Sequence, residues 1–392
     1  MNDAARLERW RAVRRVLAVR LDNMGDLLMT TPALAAIRRS VPEAHLSLLT
    51  SPAAAAIARH VPEVDEVIAF DAPWVKGGAQ QRPGSLPSAA EQRVLEQLSA
   101  ARYDAAVLFT VCTQSALPAA LWCRMAGIGL RLGHSRENPY DLLTDWVPDT
   151  DRVATGMRHE VARQLALVRH VGWHTDDERL RLEVTPAQCA RVRALLQQAG
   201  MPAQRPYIVV HPGASAASRR YPAARFGAAA DAIAVGSGCL PIFTGDAGEQ
   251  YLIAEARCAM TQPSLTLAGQ LDVADLAALI AEARLLLTNN TGPAHIAAAT
   301  ATPVVVLYAL TNPQHTPWRV RARVLSHDVP CRHCLKSVCP QGHHDCLSKV
   351  EPADVAEAGL ALLRETAAAS TRPSHPFTGA RRAMPVVQGT IA

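Results

Sequence analysis

The chain has 392 residues, which is too long for one ordinary hydrophobic core and predicts two domains of about 150–200 residues each. Apolar residues make up 49% and charged residues 19%, as in soluble globular proteins. No uncharged apolar run reaches the length of about 18 residues that crosses a membrane. The net charge of +5 is mild, and the basic stripes interleaved with aromatic rings that are typical of nucleic-acid-binding proteins do not occur. A nucleic-acid partner is therefore not expected.

The first 15 residues carry five arginines around Trp10 and lack the apolar segment and cleavage site of a signal peptide. We therefore expect the protein in the cytoplasm. The arginines could contact anionic lipid headgroups, as a peripheral contact with the cytoplasmic face of the inner membrane. Alternatively, residues 1–15 form a basic arm that is surrounded by solvent.

Short apolar runs alternate with helical patterns along residues 16–180. The runs at 16–21, 45–50, 67–70 and 105–109 predict strands, and the segments at 52–60, 89–102 and 116–126 predict helices. Another helix is predicted after Asp26, with residues 30–32 as a second start signal. Residues 71–88 contain several Pro and Gly and predict a long mobile loop. The alternation predicts an α/β domain with a mostly parallel sheet.

The pattern weakens between residues 172 and 206, where we place the domain junction, and then it restarts. Strands are predicted at 207–210, 240–243, 265–267, 284–288 and from 304, and helices at 186–198, 222–235, 247–260, 273–283, after 293 and at 352–367. Residues 368–392 are rich in Pro and Gly and predict a disordered tail. We therefore expect an N-terminal domain over residues 16–180 and a C-terminal domain over residues 200–367, facing each other across a cleft.

One stretch, RLLLTNNTGPAHIAAATATPVVVLY at residues 284–308, reads as strand, turn, short helix and strand. Pro293 suits the first helical position, because its missing N–H has no partner to lose there. The N–H groups of Ala294 and His295 then face the space beyond the strand, where open α/β sheets bind ligands and a helix N-terminus favours an anion. Gly292 lets a phosphate come close to the backbone. An ordinary turn that binds nothing is the alternative.

A second candidate segment follows the strand at 207–210. It begins with HPGAS at residues 211–215, where Gly213 and Ser215 offer small side chains and backbone N–H groups, and it continues with SRRYP at 218–222. Arg219 supplies a fixed positive charge whose guanidinium can pair with two phosphate oxygens. Solvent-facing arginines at a helix entry are the alternative. Together with the turn at 290–295, the segment predicts a nucleotide site in the C-terminal domain.

Asp26 lies just past the first strand, after Gly25, and faces the cleft from the N-terminal domain. A carboxylate there could accept a proton from an attacking hydroxyl as a general base. The alternative is that Asp26 caps the helix that follows.

Together, RLDNMGDLLMTTPAL at residues 20–34, the HPGAS and SRRYP segments and the stretch from TNNTGPAH resemble the ADP-heptose:lipopolysaccharide heptosyltransferase family, glycosyltransferase family 9. The resemblance covers roughly residues 16–365. It implies a GT-B fold with two Rossmann-like domains and the donor in the C-terminal one. It also implies inverting, metal-independent transfer of a sugar from a nucleotide diphosphate donor, ADP-heptose or a related one, to a lipopolysaccharide-core or similar surface-glycan acceptor.

The resemblance also implies roles for single residues. Asp26 matches the general base, with Asn23, Met24 and Gly25 on the acceptor side, and the expected donor-binding residues are Gly213, Ser215, Arg219, Asn290, Thr291, Gly292 and His295. Arg219 stands where the family usually carries Lys, which keeps the charge and changes the geometry. Asn290 stands where the heptosyltransferases have Asp in contact with donor-sugar hydroxyls, so the identity of the sugar stays open. No cofactor is implied beyond the donor substrate.

Four of the nine cysteines lie close together in the sequence, at Cys331, Cys334, Cys339 and Cys346. In a cytosolic protein such a cluster favours zinc over disulfides. The spacing lacks a second Cys-x2-Cys pair, so we expect unligated thiols or a redox-labile loop, with structural zinc as the alternative. A catalytic metal is not expected.

Two other functions fit the same pattern. Nucleotide-sugar epimerases can share the two-domain architecture and act on the donor alone, so consumption of donor without acceptor would favour an epimerase. The other alternative is a catalytically silent nucleotide-sugar-binding protein, although the intact Asp26 argues against it.

Overall fold

The structure is a computed structural model that describes residues 3–75 and 88–370. Within these residues the first half forms a six-stranded parallel sheet in the order β3-β2-β1-β4-β5-β6. Its strands are β1 (Arg15–Arg20), β2 (His45–Thr50), β3 (Glu66–Ala69), β4 (Ala105–Leu108), β5 (Leu130–Ser135) and β6 (Asp145–Pro148). Central strands such as β4 are buried along their whole length, as expected when helices cover both faces of a parallel sheet.

The second half repeats this arrangement with β7 (Tyr207–His211), β8 (Leu240–Phe243), β9 (Leu265–Thr266), β10 (Leu286–Asn289), β11 (Val304–Leu307) and β12 (Ala322–Leu325). The order is β12-β11-β10-β7-β8-β9, and all pairs are parallel. Numbered within its own half, each sheet has the order 3-2-1-4-5-6 of Rossmann-type domains, and ligands bind such sheets where the strand order reverses. Here that place is the carboxyl ends of β1 and β4 and of β7 and β10. The predicted α/β class with two Rossmann-like halves is confirmed.

The helices among the described residues are α1 (Asp3–Arg11), α2 (Met24–Ser40), α3 (Pro52–Ala58), α4 (Ala89–Ala101), α5 (Leu117–Met125), α6 (Glu160–Arg169), α7 (Pro186–Gln198), α8 (Ala223–Ser237), α9 (Gln250–Cys258), α10 (Val273–Glu282), α11 (Gly292–Ala299), α12 (Asp345–Ser348) and α13 (Pro352–Ser370). None of these helices combines the length and the apolar composition that a membrane crossing requires. The sequence pattern missed α1, α6 and α12 and the strands β5, β6 and β12.

The N-terminal segment differs from the expected basic arm. Residues 3–11 form α1, and Trp10 is fully buried against Trp173, with ring centroids 5.2 Å apart in an edge-to-face pair. The segment therefore docks on the first half as part of its core. The aromatic ring at the centre of the arginine cluster is not on the surface, where a lipid contact would need it.

Helix α2 also differs from the prediction, because it runs without a break through Pro32. Proline has no N–H for the carbonyl of Leu28, and the Thr31 hydroxyl donates a hydrogen bond to that carbonyl instead, at 2.7 Å. Residues 30–32 therefore do not begin a second helix; they lie inside α2, where the Thr31 hydroxyl replaces the hydrogen bond that Pro32 cannot make. The N-cap position is Asn23, so Asp26 is the third helical residue and not the cap.

The segment that connects the two halves contacts both of them. The Arg181 N–H donates to the Thr31 hydroxyl, and α7 reaches the second half, where Arg191 forms an ion pair with Asp275 at 3.0 Å. The domain limits at residues 180 and 200 stay a prediction. Helix α13 continues to Ser370, three residues beyond its predicted end. The predicted mobile loop at 71–88 and the predicted disordered tail lie largely outside the described residues.

Candidate active site

The carboxyl ends of both sheets enclose a cavity of about 460 Å³. It is lined from the first half by Asn23, Met24, Gly25, Asp26, Met29 and Ala53, and from the second half by Ser215, Arg219, Asp246, Asn290, Thr291, Gly292, His295 and His315. The structure thus brings together the predicted residues of both domains, with the exception of Gly213. Because the cavity lies where the strand order of each sheet reverses, its position agrees with the general rule for α/β ligand sites.

Two helix N-termini meet at this cavity. A Cβ atom at Gly25 would lie 2.7 Å from Cδ2 of His295, and one at Gly292 would lie 2.1 Å from Cε of Met24. The first turns of α2 and α11 therefore touch across the halves, with the His295 ring against Gly25 and the flexible end of Met24 against Gly292. Both helices direct the positive end of their dipole toward the same space, but the Ala294 N–H, which was expected to face it, donates to the Thr291 carbonyl at 3.0 Å. The arrangement favours an anion with more than one charged group.

The loop after β7 brings Arg219 to the same place. No carboxylate pairs with Arg219 among the described residues, and its side chain is half-buried in the cavity wall. The neighbouring Arg220 has a different role, since it donates to the carbonyl of Ala214 at 2.8 Å and braces the loop. Asn289, at the end of β10, also holds this loop, because its amide donates to the Pro212 carbonyl at 2.8 Å.

The turn after β10 leaves buried polar atoms without partners. Oδ1 of Asn290 and Nδ1 of His295 have no hydrogen-bond partner among the described residues, although the two side chains are only 6% and 5% exposed. Burial, helped by His315, lowers the pKa of His295 to about 3, so its ring is neutral. Since buried polar atoms are rarely left unsatisfied, these two atoms mark a place for a polar ligand.

Asp26 lies on the opposite wall, in a cluster around the fully buried Arg20. The guanidinium forms ion pairs with Asp22 at 2.9 Å and Asp26 at 3.3 Å, and it donates to Glu160 at 3.1 Å. Burial alone would lower the pKa of Arg20, but the three carboxylates raise it. A permanent positive charge is therefore held behind Asp26, whose carboxylate faces the cavity.

The two aspartates on this guanidinium titrate in opposite directions. Burial raises the pKa of Asp22 to about 6 despite the charge of Arg20. Burial would also raise the pKa of Asp26, but Arg20, with smaller contributions from His315 and His295, reverses this and lowers it. At neutral pH Asp26 is therefore a carboxylate that is ready to accept a proton. Such divergent pairs of acids are a feature of catalytic sites.

Three residues of this cluster were missed by the sequence analysis. Arg20 is a charged residue in an apolar strand, which is a signal that could have found it. Glu160 opens α6, a helix that the pattern did not reveal. His315 lies in a loop after β11, and its Nε2 is 3.8 Å from Asp26 Oδ1. No sequence signal singles it out.

A second cavity of about 280 Å³ adjoins the first beside the ends of β7 and β8. Its walls combine apolar side chains (Leu271, Val273 and Leu276) with the acidic side chains of Asp246, Glu249 and Asp272. Gly213 lies beneath this region, and a Cβ atom there would overlap the Glu249 carboxylate at 2.0 Å. Gly213 thus lets the Glu249 carboxylate approach the loop, and its predicted donor-binding role stays a prediction.

A third cavity of about 260 Å³ lies in the first half, at the ends of β1 and β4. Asp22 and Gln114 line it together with Trp74, whose indole packs against Trp122 at 5.2 Å between centroids. Asp22 thus borders this cavity while its partner Arg20 also holds Asp26. An aromatic ring beside a carboxylate and an amide suits a sugar, which presents C–H groups and hydroxyls.

The four clustered cysteines line one small cavity of about 20 Å³ next to the Arg219 loop. All four are free thiols, and no group of three or more His, Cys, Asp or Glu side chains in the described part of the chain has metal-binding geometry. The segment 331–346 is tied to the site, because the Ser218 N–H and hydroxyl donate to the carbonyls of Ser337 and Lys336 at 3.0 and 2.6 Å.

Comparison with known proteins agrees with this geometry. The family model described as glycosyltransferase family 9 (heptosyltransferase) matches residues 92–344, more than half of the chain. Lipopolysaccharide heptosyltransferase 3 of Escherichia coli is 25% identical over 301 residues, covering 75% of this chain and 83% of that protein. Lipopolysaccharide heptosyltransferase 2 of Escherichia coli strain K12 is 25% identical over 362 residues, covering 89% of this chain and 98% of that protein.

Two solved structures share the fold. A glycosyl transferase family 9 protein from Veillonella parvula DSM 2008 has a TM-score of 0.72 at 20% identity, covering 90% of this chain and 97% of its own. The ADP-heptose lps heptosyltransferase II of E. coli has a TM-score of 0.68 at 22% identity, covering 90% and 99%. The predicted GT-B fold is confirmed. This chain therefore belongs to glycosyltransferase family 9 and is a glycosyltransferase.

Proposed function

We propose that this enzyme transfers heptose or a related sugar from a nucleotide diphosphate donor, ADP-heptose or a close relative, to a lipopolysaccharide-core or similar surface-glycan acceptor. The observation that carries the proposal is the shared cavity. An anion-binding wall from the second half faces an ionised carboxylate from the first half across it. A sugar diphosphate needs the first wall, and an acceptor hydroxyl needs the second.

The donor diphosphate binds at the N-terminus of α11, near Thr291, Gly292 and His295. Arg219 adds a charge that is not used by any carboxylate of the described residues, so it is free to pair with phosphate oxygens. As the sugar leaves the diphosphate, negative charge grows on the leaving oxygen. The N–H groups of the turn and the guanidinium are already in place to stabilise it.

Asp26 acts as the general base on the acceptor hydroxyl. The hydroxyl proton moves to the carboxylate, the acceptor oxygen bonds to the anomeric carbon, and the bond from that carbon to the diphosphate oxygen breaks. One displacement from the face opposite the diphosphate inverts the anomeric configuration. Residues 16–180 serve as the acceptor side in this proposal, and residues 200–367 serve as the donor side.

The two smaller cavities suit the remaining parts of the substrates. The second cavity can take the nucleoside, with Leu271 and Val273 against the base and acidic side chains near the ribose hydroxyls. The third cavity can take a sugar of the acceptor, with Trp74 as a stacking surface and Asp22 and Gln114 as hydrogen-bond partners. A glycolipid acceptor would bring the protein to the cytoplasmic face of the inner membrane.

Asn290 bears on which sugar is transferred. Its unpartnered Oδ1 lies in the cavity wall and can accept a hydrogen bond from a donor-sugar hydroxyl. A neutral amide binds such a hydroxyl less strongly than a carboxylate does, because charged acceptors make stronger hydrogen bonds. We therefore expect a weaker contact to this hydroxyl than in heptosyltransferases that carry Asp at this position.

A transfer assay tests the proposal. The enzyme is incubated with ADP-heptose, with or without a lipopolysaccharide core that lacks its heptoses, and nucleoside diphosphate release is measured. We expect release only when the acceptor is present, and a product with inverted anomeric configuration by NMR. Conversion of the donor without acceptor would favour an epimerase instead. A panel of other nucleotide sugars in a thermal-shift screen identifies the preferred donor, since a ligand at 100 times its Kd adds about 2.7 kcal/mol of stability.

A further inference from the structure

A loop of the second half reaches across to the first half beside Asp26. The Glu160 N–H donates to the Gln314 carbonyl at 3.1 Å, and His159 Nε2 contacts the Thr316 carbonyl at 2.8 Å. The rings of His159 and Trp318 also pack, with centroids 4.5 Å apart. The loop residue between these anchors is His315, so its position relative to Asp26 is fixed from both sides.

A chain of hydrogen bonds determines which nitrogen of His315 carries the proton. The Thr311 hydroxyl donates to Oδ1 of Asn312 at 2.7 Å, so the Asn312 amide group faces His315 with its N–H side. Nδ2 of Asn312 lies 2.7 Å from Nδ1 of His315, and Nδ1 must therefore accept. In the neutral ring the proton is then on Nε2. Nε2 lies 3.8 Å from Asp26 Oδ1 and 3.9 Å from Glu160 Oε2.

The ring stays neutral in this environment. Burial lowers the pKa of His315; Asp26 and Glu160 work against this shift, while Arg20 and Arg219 add to it. The neutral rings of His295 and His159 face the same group. Nε2 of His315 is buried without a hydrogen-bond partner among the described residues, and its 3.8 Å distance to Asp26 Oδ1 is longer than a hydrogen bond, so its N–H acts on the carboxylate as a nearby dipole.

We propose that His315 is a positioning residue for Asp26, whose Nε2–H, supplied by the donor half, orients the carboxylate toward the acceptor and keeps it ionised. The proposal rests on the proposed function of Asp26 as the base. It adds that the base is complete only when both halves are in contact, because its surroundings come from both. The Thr311–Asn312 pair acts through His315 by fixing its tautomer.

Two substitutions separate the Nε2 position from the Nδ1 position. His315→Gln places an N–H near the Nε2 position, whereas His315→Asn reaches only the Nδ1 position. We expect the Gln variant to keep most of the activity. The Asn variant should lose about three- to tenfold in kcat/KM, and the acidic limb of its pH profile should move up by about half a unit. His174→Asn, an exposed histidine away from the cavity, is the control and should change nothing.

A direct readout does not depend on transfer activity. In protein labelled with ¹³C at the aspartate carboxyl groups, NMR titration follows Asp26, which the Asp26→Asn variant assigns. We expect the pKa of Asp26 to lie below that of an ordinary aspartate in the wild type and in His315→Gln, and to be higher in His315→Asn. Identical Asp26 titration in all three proteins would overturn the proposal. If both variants instead weaken ADP binding, His315 is a donor ligand and the proposal is also wrong. Absence of transfer by the wild type would count against the proposed function and leave the titration result standing.

Discussion

The two walls of the cavity differ in how complete they are. At the Asp26 wall the charges are paired within the protein, since one buried guanidinium holds three carboxylates, while Nε2 of His315 has no hydrogen-bond partner among the described residues. At the opposite wall Arg219 has no carboxylate partner, and Asn290 and His295 each have a buried polar atom without a partner, among the described residues. Buried polar groups are normally satisfied, so the second wall needs a ligand to complete it. In the proposed function the first wall holds the base and the second wall binds the donor.

The largest effect on activity is expected at the Asp26 wall. Asp26→Asn keeps the size of the side chain and removes the base, so turnover should fall by about 10²–10⁴-fold, while the donor Kd changes less than twofold. Arg20 keeps Asp22 and Glu160 as partners, so the melting temperature should change little. Steady-state kinetics, calorimetry with ADP and a thermal melt measure the three quantities.

The control for this variant is Asp176→Asn, which changes an aspartate that is 78% exposed and paired with Arg39 on the surface. It should retain wild-type turnover. An Asp26→Asn enzyme with near wild-type turnover would show that Asp26 only balances the charge of Arg20.

The next largest effect is expected on donor binding, at the opposite wall, which carries Arg219. Arg219→Ala should raise the donor Kd by about ten- to a hundredfold, which corresponds to the loss of one or two charge-assisted hydrogen bonds. Arg219→Lys should recover part of this loss, because lysine restores the positive charge but cannot pair with two phosphate oxygens as a guanidinium does. Arg284→Ala is the matched control, since Arg284 is exposed and precedes β10, at the end of the strand away from the cavity. Equal Kd values for both alanine variants would reduce Arg219 to a surface charge.

A smaller effect concerns pH and stability. Burial lowers the pKa of His134, His211 and His295 to about 4, 4 and 3, whereas an unfolded histidine titrates near 6.5. The unfolded chain therefore binds more protons below pH 6.5, and stability is lost as the pH falls. At pH 5.5 each such histidine costs about 1.4 kcal/mol. Asp22, whose pKa is raised to about 6 by burial, acts in the opposite direction and offsets less than one histidine.

Urea unfolding at pH 7.5 and 5.5 checks this expectation. His134→Gln, a change outside the main cavity, should reduce the stability difference between the two pH values by about 1.4 kcal/mol. The same difference in the variant and the wild type would mean that His134 is accessible to protons in the folded protein.

The smallest effect is expected at the cysteine cluster. The sequence predicts unligated thiols or a redox-labile loop there, and the hydrogen bonds from Ser218 tie segment 331–346 to the loop that carries Arg219. Replacing Cys331 and Cys334 by Ser should lower the melting temperature and weaken ADP binding by about two- to fivefold, with turnover largely intact. Cys258→Ser, at an exposed cysteine elsewhere, should do neither.

Unchanged ADP affinity in the double variant would show that the cysteine cluster stabilises the fold and does not influence the Arg219 loop. Lost turnover with full stability would instead move it into the active site. Metal analysis of protein prepared without chelators tests the zinc alternative, which requires about one zinc per chain.

The sequence predicted those parts of the fold and site that are local in the chain. Strands β1 and β10 contain short apolar runs (residues 16–19 and 286–287), and Asp26 and the turn at 290–295 come within a few residues of the strand ends. Strand β5 was missed because its sequence LRLGHS contains Arg131 and His134, which are polar and yet buried. The backbone carbonyls of Leu142 and Asp141 satisfy Arg131, and no sequence pattern shows such partners.

The surroundings of Asp26 could not be predicted for a related reason. Arg20 and Glu160 are far apart in the chain and meet inside the first half, where α6 packs against α2, and His315 reaches them from the second half because the two sheets place their carboxyl ends face to face. Sequence patterns show which residues follow a strand. They do not show which residues from the other half lie opposite.

A structure of the enzyme with bound ADP tests whether the donor diphosphate binds at the wall that carries Arg219 and the start of α11. We expect the diphosphate to lie within hydrogen-bond distance of the backbone N–H groups at the start of α11 and of the Arg219 guanidinium, with Asp26 across the cavity. A diphosphate bound away from the turn at 291–295, with Arg219 still in solvent, would contradict it.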